Sequence, residues 1–390
     1  MHCLVPKVLL ANNQLSERAG SELYVCELAE SLARRGVDVA VFALFPGALA
    51  EAFSTRTGLP VYGPQQLEEL MRWAPDIIHS HHVTTFHLLG DLFPGVPRVH
   101  GILGLVPDLE QLPVNLAEAS RVLAVSERDR DVIRARAPDL EVEVVRNWFD
   151  DRELRLAARM APASNACHRL LGVSSHHAPE RDAALDTLAA EGLVSWERAG
   201  AGAVPREITG AYLAEVDLVM SIGRTVLLAG AVGVPCIVAD QHVSDGLLSA
   251  EVVDELAYHN FTGRARRLAL TAEHLRAEIE RSSRLDRDAL SRRIRAGYSL
   301  SARSLHFLNV YEEVLAGWNR NETQLAPRRG EGMVYRDMAI HIAQLEAMMQ
   351  SYRNSMSWRI TAPMRKARAM ARRWLSRSPG RHTAAQQQSH

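Results

Sequence analysis

Histidines gather where two short apolar runs end. Residues 75–82 read PDIIHSHH, His87 follows closely, and His100-Gly101 closes the next apolar run. Imidazoles in such places can bind ligand hydroxyls or move protons near neutral pH. His81 and His82 are the first candidates, with His100 beside them. No carboxylate or cysteine adjoins them to complete a metal set, so no metal is expected. A structural role is the plainer alternative for any one of them; as a group at two strand ends they favour a site.

A second set of residues suits phosphate. The segment Asn12–Glu22 joins a strand to a helix, with Gly20 allowing close backbone approach and Ser21 placed to cap the helix. Free N–H groups at a helix start attract anions, although a plain capped turn would read the same way. The run DLVMSIGRTVLLAGAV (217–232) passes from strand through Gly223-Arg224-Thr225 into a helix, an amide nest with one arginine. Ser174, His176 and Arg181 follow another strand and could hydrogen-bond a diphosphate or simply form a polar loop. Asp245-Gly246 and Asn260–Arg264 come after the last predicted strand and offer further polar contacts.

These residues need strands and helices to place them. Apolar runs predict strands at 7–11, 37–42, 76–79, 98–100, 121–125 and 141–145, with helical patterns between. Strand, helix and strand within about thirty-five residues is a βαβ unit and implies a parallel, doubly wound sheet. Ligands of such sheets bind beyond the carboxyl ends of the strands. A second series follows a polar, alanine-rich stretch, with strands at 168–173, 193–198, 217–221 and 235–240. From Leu268 to Asn319 the pattern is helical, and Met338–Tyr352 is a helix with Ile342, Leu345 and Met349 on one face.

A chain of 390 residues exceeds one core. A formal net charge of -1 gives no global field for nucleic acid. The four cysteines form no C-x-x-C pair; Cys26 and Cys236 sit in apolar patterns and read as core. No long apolar leader precedes the first strand, and no apolar run reaches the ~18 residues of a membrane span. A reduced, cytoplasmic location is the expectation.

Taken in order, these segments resemble the GT-B glycosyltransferases of the GT4-like group. PDIIHSHH, His100-Gly101, VLAVSE (122–127) and VVRNWFD (144–150) are similar to markers of the N-terminal domain. The 217–238 unit resembles the donor-domain strand, helix and strand, and NFTGR (260–264) resembles a motif after it. The resemblance spans about residues 5 to 315. It implies an α/β fold of two doubly wound Rossmann-like domains facing a central cleft. The acceptor domain would be 1–155 and the donor domain 165–300, with 301–320 returning to the first domain. It implies transfer from a nucleotide-diphosphate sugar to a glycan or lipid-linked acceptor, with no metal or other cofactor. By the same carry-over His100 matches a strand-end histidine near the reacting sugar, and Gly20 lines the cleft near the phosphates. Gly223, Arg224 and Thr225 would line the diphosphate pocket, with Arg181 matching a basic phosphate ligand. The family's paired glutamates fall at Met220 and Leu228 here, and a leucine cannot accept hydrogen bonds from ribose hydroxyls. A non-catalytic scaffold or binding subunit is therefore the alternative. An epimerase of the same fold is a third reading, but this chain lacks the carboxylates expected for its acid/base work.

The tail 331–376 contains SMSWRITAPMR (355–365), after which Arg368, Arg372 and Arg373 alternate with Met370, Trp374 and Leu375. It resembles tails of bacterial polysaccharide-assembly glycosyltransferases. Residues 355–376 suit an anionic membrane surface, or packing on a partner or on the protein's own body. That membrane would be the inner face of the cell membrane, with residues 377–390 disordered.

Overall fold

The computed structural model describes residues 5–105, 108–156, 167–174, 178–200, 207–318 and 330–356. The chain divides into two compact units, Met1–Met333 and Val334–His390. The first holds two sheets. The second is described through the helix Glu331–Asn354, most of which it contains.

The first sheet has seven strands: β1 (Lys7–Leu15), β2 (Asp38–Pro46), β3 (Val61–Tyr62), β4 (Ile77–His81), β5 (Arg98–Ile102), β6 (Arg121–Ala124) and β7 (Val142–Val144). Their order is β3-β2-β1-β4-β5-β6-β7, every pair parallel. Helices on both faces explain why the strands read as apolar runs without alternation. Val8, Leu10, Val39, Val41, Ile77 and Val99 pack with Leu28 and Leu32 of the Gly20–Ala33 helix. The helix Leu300–Gly317 lays Phe307, Val310 and Tyr311 on that same core. Two backbone bonds lead it there: Phe149 N–H donates to Tyr298 O and Leu300 N–H to Phe149 O, both at 3.0 Å.

β1 runs four residues past the predicted end at Ala11. Asn12, Asn13 and Gln14 extend it, each with at least one partnered polar group, although Asn12 Oδ1 has no hydrogen-bond partner. Asn12 Nδ2 donates to Gln14 O at 2.8 Å, and Gln14 Nε2 to Glu22 Oε1 at 2.9 Å. The predicted polar turn is therefore the end of a buried strand.

The second sheet comprises β8 (His168–Ser174), β9 (Val194–Gly200), β10 (Leu218–Ser221), β11 (Cys236–Ala239), β12 (Val243–Leu247) and β13 (Leu268–Ala269). Its order is β13-β12-β11-β10-β8-β9, parallel from β9 to β11 and antiparallel at β12 and β13. The antiparallel edge is a correction: Asp245-Gly246 lies inside β12 rather than in a loop after the last strand. Cys26 and Cys236 are buried core residues, their thiols pushed up to about 12 by burial. No described helix is long and apolar enough to cross a membrane.

Candidate functional site

The carboxyl ends of β4 and β5 bring the first-lobe histidines together. His82 caps the helix Val83–Leu92 with φ 71 and ψ 149, a conformation costing a non-glycine residue on the order of 1–3 kcal/mol. Neighbours hold it there. The Asn13 N–H donates to His82 Nδ1 at 3.1 Å, Thr84 Oγ1 donates to Asn13 Oδ1 at 2.8 Å, and Thr85 Oγ1 donates to His82 O at 3.2 Å. Because Nδ1 accepts, the neutral ring carries its proton on Nε2, which lies 3.7 Å from Glu110 Oε1. His82 thus presents a donor, not a base. His81, His82, His100, Gly101, Leu103 and Glu110 surround a small recess.

Beneath it the imidazoles are locked. His81 Nδ1 lies 3.0 Å from Gly101 O, so the ring donates there and turns the lone pair of Nε2 inward. His79 Nδ1 is 2.7 Å from the Tyr311 hydroxyl, and His100 Nδ1 is 3.0 Å from Ser80 Oγ, under the Phe86 ring. Glycine is required at 101: a Cβ there would lie 2.5 Å from His81 Cε1 and 2.9 Å from His79 Nε2. Burial pushes the His81 imidazole down to about 3 and those of His79 and His100 well below their ordinary value. These rings are neutral at pH 7 and poor bases. The expectation that His81 and His100 move protons near neutral pH is corrected by their burial; His100 forms floor rather than surface, at 2% exposure.

The phosphate-type residues are placed less uniformly. Gly223 (φ 60) leads into the helix Arg224–Val232, with open space where a Cβ would point. Thr225 is half-buried in its first turn. Arg224 does not stand free. Its guanidinium pairs with Glu27 of the Gly20–Ala33 helix and lies 5.7 Å from the Trp148 ring, while Trp148 Nε1 donates to the other Glu27 oxygen at 2.8 Å. Arg224 Nη1 is buried without a hydrogen-bond partner. At 1.5 Å per residue, Glu27 lies about 10 Å down the axis from Gly20, so the Arg224 guanidinium meets that helix about two turns from its start. The Gly20 turn meets the second lobe elsewhere, through Arg18 and Glu207.

Ser21 does not cap its helix. Ala19 occupies the cap position and Ser21 lies inside the first turn, donating to Glu22 Oε2 at 2.9 Å. That buried carboxylate already sets a negative charge at the helix start. Arg181 is fully buried in the helix Pro179–Ala190, its guanidinium beside Gly172 of β8 and bound to Asp182 Oδ1 at 3.0 Å, with Nη1 lacking a hydrogen-bond partner. It is shielded from solvent, contrary to the expectation of a loop-borne ligand. Asp245 is also fully buried inside β12, its Oδ1 accepting the Arg266 N–H at 2.8 Å while its Oδ2 has no hydrogen-bond partner. Ser174 ends β8, half-buried. His176 and most of the 355–376 tail lie outside the described residues.

Asn13, Glu110, Glu27 and Trp148 were not singled out by sequence. Asn13 and Trp148 carried weak signals, as a polar residue continuing a strand and as part of VVRNWFD. Glu110 and Glu27 carried none, since only the fold brings each to its partner. Among the described residues, no group of three or more histidine, cysteine or acidic side chains is arranged to hold a metal ion.

The pattern has known counterparts. Residues 18–153 match the family profile Glycosyltransferase Family 4. A glycosyltransferase from Rickettsia africae ESF-5 superposes over 80% of this chain and 100% of its own, with TM-score 0.57 and 11% identity. The lipopolysaccharide outer core galactosyltransferase WaaB covers 79% of this chain and 99% of its own, with TM-score 0.52 and 13% identity. A UDP-N-acetylglucosamine 2-epimerase covers 79% and 96%, with TM-score 0.50 and 13% identity. No curated protein sequence matches significantly. At these identities the shared property is the fold, the α/β GT-B architecture of glycosyltransferases.

Proposed function

We propose that this chain transfers a sugar from a nucleotide-diphosphate donor to a glycan or lipid-linked acceptor of surface polysaccharide assembly. One observation carries the reading: on a glycosyltransferase fold, the β4 and β5 ends present a strained His82 whose Nε2–H stands beside Glu110 at a small recess. That pair offers a donor and an acceptor to a sugar hydroxyl. The second lobe offers the Gly223 turn and Arg224 to a departing diphosphate, and stabilising that charge needs no metal. The buried imidazoles are neutral, so the chemistry rests on charge stabilisation and positioning rather than on a histidine base. The basic, tryptophan-bearing segment 355–376 supports a lipid-linked acceptor at the inner face of an anionic membrane.

A specific observation favours a second reading, a binding subunit without transfer activity. Leu228 is packed in the apolar core where the resemblance implies a ribose-binding carboxylate, and Glu27 neutralises Arg224. UDP- and GDP-sugars titrated against thermal stability separate the two. A donor that binds only the folded chain raises its melting temperature by mass action. A melting temperature unmoved by every nucleotide sugar assigns the chain to the second reading.

A further inference from the structure

Three arginines gather around one pair of rings where the two lobes meet. The Tyr24 and Trp148 rings lie 4.0 Å apart, and the Arg224 guanidinium is 5.7 Å from the Trp148 ring. The charges of Arg224 and Arg303 both act on the Tyr24 phenol, and that of Arg146 acts on Arg303. This positive charge is only partly answered. Glu27 pairs with Arg224, and Glu127 with Arg146. Among the described residues, no carboxylate pairs with Arg303, whose Nη2 donates to Gly297 O at 2.7 Å. Its Nε is buried without a hydrogen-bond partner, as is Arg224 Nη1. Burial, then the charge of Arg146, pushes the Arg303 guanidinium below its ordinary pKa. A partly buried cation without a counter-charge destabilises the fold, and each orphaned N–H adds to that cost. Groups held at such a cost cluster where a ligand supplies the missing partner.

We propose, resting on the nucleotide-sugar reading, that Arg303 joins Arg224 in binding one phosphoryl group of the donor's diphosphate. The second lobe contributes one guanidinium, and the Leu300–Gly317 helix, packed on the first-lobe core, contributes the other. Two guanidiniums with Arg146 nearby match a group that carries two negative charges. A single carboxylate would leave one of them unanswered. Entry of the anion exchanges Glu27 for a phosphoryl oxygen at Arg224 and gives Arg303 an acceptor of opposite charge. The Tyr24 and Trp148 rings beside it lower the local dielectric and so strengthen the contact. Because the two arginines come from different parts of the fold, the anion also ties the second lobe to that helix.

Pyrophosphate, added to the full chain at ionic strength matched with sodium chloride, tests the pair. It should raise the melting temperature of the native chain, and acetate should not. Arg303→Gln should weaken pyrophosphate binding at least about tenfold in calorimetric titration. Without ligand the same variant should melt no lower than the native chain, because an unanswered charge has gone. Arg303→Lys keeps a donor for Gly297 O but loses the planar fork, and should bind several-fold more weakly. A native chain that pyrophosphate does not stabilise overturns the proposal, as does unchanged affinity in either variant. A ligand-free melting temperature that falls in Arg303→Gln assigns the residue to its Gly297 contact and overturns it too. Pyrophosphate binding that depends on Arg303, with no nucleotide sugar bound, keeps the anion site and retires the donor reading alone.

Discussion

Arg224, the first residue of its helix in the second lobe, is paired with Glu27 in the middle of the first helix of the other lobe. Both side chains are largely covered, at 18% and 19% exposure, so the pair is poorly screened. A diphosphate at the Gly223 turn must compete with Glu27 for the same guanidinium. Glu27→Gln keeps an acceptor for the Trp148 indole while removing the competing charge. It should tighten nucleoside diphosphate binding by about 1 kcal/mol, roughly five-fold. Arg224→Ala should weaken it by about 1.5–3 kcal/mol. Calorimetric titration of UDP and GDP checks both, and affinities unchanged in the two variants would remove the diphosphate from this helix start.

Two glycines separate a packing role from a ligand role. At Gly101 an added methyl meets the fully buried rings of His81 and His79, which have no room to retreat. Gly101→Ala should cost about 1–3 kcal/mol, as overpacked cores do, and should lower the melting temperature. At Gly20 a methyl meets nothing within 4 Å. Gly20→Ala should leave stability equal or raise it by up to about 1 kcal/mol, because alanine favours the helix. Nucleotide binding lost in that stable variant would locate a ligand against the Gly20 backbone.

The parallel strands were legible because strands covered on both faces must be continuously apolar. β4, β5, β8 and β10 lie within two residues of their expected positions for that reason. Legibility failed where polar residues found partners that only the fold brings to them. Asn12 to Gln14 read as a turn but extend β1, where His82 accepts the Asn13 N–H and Glu22 accepts from Gln14 Nε2. Asp245 and Gly246 read as following the last strand but lie within β12, where the Leu247 N–H donates to Glu278 Oε2 at 2.7 Å. Within the site, the His81–His82 and His100-Gly101 segments were visible as clustered types. The Glu27 and Glu110 contacts were not, because they join residues whose sequence separation carries no local signature.

Leu228 offers a test of how far the donor site departs from the pattern it resembles. Its side chain packs in the second-lobe core with Val226, Ala231, Val253 and Ile294. Leu228→Glu would bury a carboxylate in that apolar setting, and should destabilise the protein by at least about 2 kcal/mol without improving nucleotide affinity. Urea unfolding with UDP titration measures both. A stable variant that binds nucleoside diphosphates more tightly would mean that this position opens onto the ribose.

The buried imidazoles set the acid limit of the fold. His79, His81 and His100 hold pKa values below the ordinary 6.5, chiefly because burial disfavours the charged ring. The unfolded chain therefore binds more protons than the native one once the pH falls below 6.5. Their contribution is complete above that pH and is lost as the pH drops from 6.5 towards the His81 value of about 3. Each ring adds a slope approaching about 1.4 kcal/mol per pH unit. Glu30 and Asp150 act lower: burial raises their pKa, but Arg56 and Arg152 for Glu30, and Arg152 for Asp150, more than offset it. Loss of stability between pH 6.5 and 5 thus isolates the histidines. Urea midpoints should fall steadily across that window, and less steeply in His81→Asn. Equal slopes in the two proteins would show that His81 is not buried as a neutral ring.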